Sequence, residues 1–244
     1  MSNFYDDELI PSQENNEASV EDSQDTESNY RASTSDPAFG FLLALAVSIG
    51  LIPILPEYAD LRYTLAWGAL TGVGVIAWLL GNADRIGHED PENIAWGVGF
   101  GAMVSVPFIL FFFGTFGNAT AYMFPASIAD GELINTHAGI GTILAYLVFV
   151  MPVAETLFFR GLLQKRLDFY IIGALSGIWS VVLFFPVMWS EITEFTAVGM
   201  FLAVALFSVN MMYPYVNNRN GLAASWICQI VANLVLFFVP VLAI

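Results

Sequence analysis

Met151-Pro152-Val153-Ala154-Glu155-Thr156-Leu157-Phe158-Phe159-Arg160-Gly161 sets a carboxylate, and five residues later a guanidinium, within an apolar run long enough to cross a membrane. A charge at the bilayer centre costs roughly 2.5–3.5 kcal/mol on insertion scales, so one is kept where it has a partner or a task. The flanking sequence reads as a housing for that pair. Of the 244 residues, 57% are hydrophobic and only 12% are charged. A soluble domain carries about 25% charged residues, so this surface is built to meet lipid. The expectation is a multi-pass protein of the cell membrane, with membrane lipid as its first partner.

Crossing a ~30 Å hydrocarbon core takes ~20 apolar residues as helix. Seven spans are expected on that measure, at residues 38–55, 63–80, 94–117, 139–163, 170–189, 195–213 and 223–244. These continuous runs lack strand alternation, which excludes a barrel and gives an all-α transmembrane bundle over 38–244. Residues 1–37 carry ten acids and one arginine without hydrophobic periodicity. They cannot bury enough apolar surface to offset their chain entropy, so a disordered acidic tail is expected. The tail has no basic stretch of the kind that opens a signal peptide.

With seven spans, Arg31, Arg85, Arg160, Lys165, Arg166 and Arg219 fall on the side of the tail, and Arg62 alone on the other. The positive-inside rule then gives N-terminus in and C-terminus out. The net charge of −15 argues against nucleic acid as a partner. A lysine-poor, acid-rich balance would suit a high-salt cytoplasm, so a halophilic source is expected. Cys228 is the single cysteine, and His88 and His137 are predicted on opposite sides of the membrane. No disulfide, metal site or other cofactor is expected from them.

Three further features bear on packing. Asn118-Ala119-Thr120 forms a glycosylation triplet in a predicted outside loop at 118–138. Gly68/Gly72 and Gly97/Gly101 have the spacing of close helix contacts. Pro107, Pro152 and Pro186 each interrupt a span, freeing a backbone carbonyl.

On an α-helix Glu155 and Arg160 lie about 140° apart, so they need not pair. Arg160, Lys165 and Arg166 lie near the cytosolic end, where long basic side chains snorkel to water. Glu155 is more than a turn deeper and has no such escape. Gln229 and Asn233, four residues apart in the last span, stack on one helix face. Two amide donors beside one carboxylate could divide hydrolytic work: the carboxylate activates water and the amides hold an oxyanion. The same amides could instead serve only to bridge helices.

The run 152–163 resembles motif 1 of the CPBP family, the CAAX-processing and bacteriocin-processing intramembrane proteases also called Abi proteins. That motif is Glu-Glu-x-x-x-Arg, usually followed by Gly, and here reads Glu155-Thr156-x-x-x-Arg160-Gly161. Phe185-Pro186-Val187-Met188-Trp189 is similar to motif 2, Phe-x-x-x-His. Gln229-Ile230-Val231-Ala232-Asn233 is similar to motif 3, His-x-x-x-Asn, and follows an Asn220-Gly221-Leu222 turn. The resemblance covers residues 139–240 and implies an intramembrane endopeptidase fold acting on membrane-associated peptides or prenylated proteins. It implies Glu155 as base and Gln229 and Asn233 as oxyanion donors, with Arg160 beside them. Three positions depart from the family: Thr156 replaces the second glutamate, Trp189 the motif 2 histidine and Gln229 the motif 3 histidine. Trp189 can donate a hydrogen bond but cannot accept a proton. A catalytically inactive binding or maturation protein is therefore the alternative to an active endopeptidase. A small transporter using Glu155 as a proton or cation site is a third reading.

Overall fold

A computed structural model describes residues 37–55, 59–81, 90–124 and 139–242. The acidic tail, His88 and His137 lie outside the described residues, as do most of the connecting loops. Every regular element among the described residues is helical. The helices are α1 (Pro37–Ile54), α2 (Ala59–Leu79), α3 (Pro91–Met123), α4 (Ile140–Lys165), α5 (Phe169–Phe184), α6 (Trp189–Glu194), α7 (Thr196–Asn220) and α8 (Leu222–Val241). Four of them, α3, α4, α7 and α8, are long and apolar enough to cross a membrane; α1 and α5 are shorter apolar helices. The protein is an all-helical integral membrane protein.

Backbone contacts fix how the helices run beside one another. A Cβ on Gly97 would strike the Ala224 carbonyl, and one on Gly101 would lie 2.6 Å from the Cys228 oxygen. The register advances together, so α3 and α8 are parallel. Gly173 meets Met211 and Gly177 meets Phe207, so α5 and α7 run antiparallel. Thr64 bonds Tyr146 at 2.6 Å, and Gly74 abuts Leu157 a few turns on, which makes α2 parallel to α4. The Gly97/Gly101 pair packs as its spacing implies. Gly68 and Gly72 do not, since a Cβ at either would meet nothing within 4 Å.

Several boundaries differ from expectation. The third helix continues past residue 117 to Met123, because Ala119, Thr120 and Met123 bury an apolar face there. The glycosylation triplet therefore sits in helix, with the Thr120 hydroxyl on the Phe116 carbonyl at 2.8 Å. The fifth helix stops at Phe184 instead of reaching Trp189. Pro186 disfavours helix at the residue before it and offers no N–H, so residues 185–188 turn. The seventh helix runs on to Asn220 and ends at Gly221, whose φ of 92° suits a residue without Cβ.

α4 is not a uniform α-helix. π-helical turns occupy Tyr146–Val150 and Thr156–Leu162, and a third lies in α8 at Leu234–Phe238. Such turns bond residue i to i+5 and are frequent at functional sites. They lie on the two helices that carry Glu155 and Gln229.

Candidate functional site

Glu155 is 2% exposed and is the only carboxylate among the buried residues described. Its Oε2 accepts from Gln229 Nε2 at 2.6 Å, and its Oε1 accepts from Trp67 Nε1 at 3.2 Å. The other end of the Gln229 amide is also engaged: its Oε1 accepts from an Arg160 guanidinium nitrogen at 2.6 Å. Arg160 donates a second bond to the Thr156 hydroxyl at 2.6 Å and lies over the Tyr213 ring, 4.9 Å from its centroid. One carboxamide thus stands between a buried acid and a buried base and bonds to both.

The chemistry of the partners fixes the amide's orientation. A guanidinium can only donate, so the Gln229 oxygen must face Arg160 and its nitrogen Glu155. Bonds to ionised groups are stronger than neutral ones. A desolvated guanidinium over an aromatic ring gains further, about 2 kcal/mol or more. These contacts offset the cost of holding charge in lipid.

The expectation that Arg160 snorkels to the interface is corrected: it is 1% exposed. The 140° separation from Glu155 is corrected as well. The π-turn Thr156–Leu162 begins directly after Glu155 and changes the register by which Arg160 follows it. Both side chains then reach Gln229 from the same side of α4.

Asn233 has a different engagement. The Met151 N–H bonds back to Tyr146, five residues away, and the next bond in that register would run from residue 152 to Leu147. Pro152 has no N–H to give. Asn233 Nδ2 supplies the missing donor, bonding the Leu147 carbonyl at 3.0 Å. The nitrogen expected to hold an oxyanion is thereby engaged with a proline-freed carbonyl.

Trp189 is absent from this cluster. It opens α6 with its side chain 63% exposed, whereas Met188 beside it is buried. The residue from this part of the chain that reaches the site is Phe184, whose ring packs against Trp67 at 6.0 Å.

Trp67 is the member that sequence reasoning missed. It is fully buried, and Tyr63 and Tyr146 pack on it with ring centroids 5.3 and 5.7 Å away. A buried indole generally finds an acceptor for its N–H, and Trp67 lies mid-helix among apolar residues, where few acceptors exist. That was the available signal, but it names no partner.

Cys228 is buried within α8, and no group of three or more His, Cys, Asp or Glu among the described residues is placed to hold a metal ion. Residues 138–235 match the family model described as type II CAAX prenyl endopeptidase Rce1-like. No curated protein and no solved structure matches the chain.

Proposed function

We propose, for a chain whose residues 138–235 belong to the Rce1-like family of type II CAAX prenyl endopeptidases, that it binds the peptide end of a membrane-associated, prenylated partner without cutting it. The observation that carries this reading is the double engagement of Glu155. Each of its oxygens accepts from a side-chain N–H, Gln229 on one side and Trp67 on the other, and the residue is only 2% exposed. A general base must reach a water proton at hydrogen-bond distance. Here the two groups on the carboxylate, Trp67 and Gln229, donate to it through N–H and cannot take a proton onward. Asn233, the other candidate oxyanion donor, has its nitrogen on Leu147.

What supports a binding role is a polar cluster kept at Glu155 and Arg160 while both motif histidines are replaced, by Trp189 and Gln229. The acid, the arginine and the Gln229 amide form one hydrogen-bonded cluster between α4 and α8, with Asn233 further along α8 on the Leu147 carbonyl. The bundle would cross the membrane seven times, with N-terminus in and C-terminus out, so that the cytosolic end of α4 faces the compartment where prenylated proteins are made. Equilibrium binding of a farnesylated CAAX peptide to the purified protein in nanodiscs tests the reading. Saturable binding that weakens when the farnesyl group is omitted is expected. Absence of binding would remove it.

A further inference from the structure

We infer that the space between Glu155 and Arg160 is a slot for a peptide-type amide, and that the Gln229 side chain fills it as a built-in stand-in. A trans peptide group points its N–H and its C=O in opposite directions within one plane. The slot offers the complement: a carboxylate 2.6 Å from the amide nitrogen and a guanidinium 2.6 Å from the amide oxygen. Neither partner can exchange roles with the other, because a guanidinium does not accept and a carboxylate oxygen receives the amide hydrogen. The slot therefore reads the direction of the amide as well as its presence. Trp67 and Thr156 hold the two charged groups in place from behind, through bonds at 3.2 and 2.6 Å.

Gln229 reaches the slot from α8, while both charged groups lie on α4. Rotation about the Gln229 side-chain torsions would vacate the slot with both charges still held. A substrate or partner chain presenting a backbone amide would then replace the two bonds that Gln229 gives up. Gln229 acts in this picture as an autoinhibitory contact that an incoming peptide displaces. The assignment of that peptide to a prenylated partner rests on the function proposed above; the amide preference of the slot rests on geometry alone.

The test uses the full-length protein in detergent, with acetamide as the probe. Gln229→Ala removes the stand-in beyond its Cβ and leaves a small buried polar space. Engineered buried cavities do admit small ligands of matching chemistry. Acetamide should raise the thermal midpoint of Gln229→Ala by about 3–6 °C at ten times its Kd, and leave the wild type unchanged. Acetate and ethanol, which lack the paired N–H and C=O, should give no such rise. Gln229→Met, which fills the space with an apolar chain of similar length, should also not respond. If Gln229→Ala does not purify as monodisperse protein, its recovery when purified in acetamide is the readout. An equal response from Gln229→Ala to acetamide and ethanol, no response at all, or no recovery would overturn the inference. None of these outcomes depends on a prenylated ligand, so failure here is separable from failure of the proposed function.

Discussion

Gln229 bridges Glu155 and Arg160, and its removal takes one hydrogen bond from each, leaving Trp67 on the carboxylate and Thr156 with the Tyr213 ring on the guanidinium. Breaking a buried ionic arrangement by deleting one partner costs about 3–5 kcal/mol, because the charges left behind lose their compensation. Gln229→Leu should destabilise by that amount in denaturant titration of the detergent-solubilised protein. A loss under about 1 kcal/mol would mean that the bridge contributes little. Trp67→Phe keeps the ring packing and removes only the N–H on Glu155. A hydrogen bond to a charged group is worth about 1.5–3 kcal/mol, so this variant should fall between Gln229→Leu and the wild type. The carboxylate and its amide neighbour were legible from sequence as polar residues in apolar spans. The indole was not, since a tryptophan in a hydrophobic helix is ordinary until its acceptor is known.

Between helices, the coupling of α4 to α8 rests on a missing N–H. Pro152 leaves Leu147 without a backbone donor, and Asn233 supplies one from the facing helix. Asn233→Leu should cost about 1–3 kcal/mol, the penalty for an orphaned buried carbonyl. The cost should shrink in a Pro152→Ala background, where residue 152 regains an N–H for the same carbonyl. A double-mutant cycle reads this as a coupling energy; additivity of the two changes would refute the link. The α3–α8 contact makes a second prediction. Gly97→Ala pushes a methyl into the Ala224 backbone, and overpacking of this kind costs about 1–3 kcal/mol. Gly114→Ala meets open space and should be neutral or mildly stabilising, by about 0.5–1 kcal/mol in helix. Thermal melts of the two variants, run in parallel, check the contrast. Spacing alone marked Gly68/Gly72 and Gly97/Gly101 alike, yet only the second pair touches a neighbouring backbone. Small residues permit close approach, but which helix approaches is a property of the assembled bundle.

At the scale of the whole molecule, composition was enough for an all-helical membrane protein, since low charge and long apolar runs admit few other structures. Helix ends were less readable. The helix carrying Asn118 continues because its next turns bury an apolar face, and α5 ends where Pro186 follows, short of Trp189. The π-turns of α4 had no sequence signature, and they alter the angular relation between Glu155 and Arg160 on which an α-helical wheel depends. The order of motifs along the chain carried the resemblance to the family, and the replaced histidines are what the proposed non-cutting role draws on. The central claim is that this interior holds a peptide amide without hydrolysing it. The most direct measurement is mass-spectrometric detection of products after prolonged incubation of a farnesylated CAAX peptide with the wild type and with Glu155→Gln. The account predicts intact peptide in both samples. A cleavage product formed by the wild type and missing with Glu155→Gln would contradict it and make Glu155 a working base.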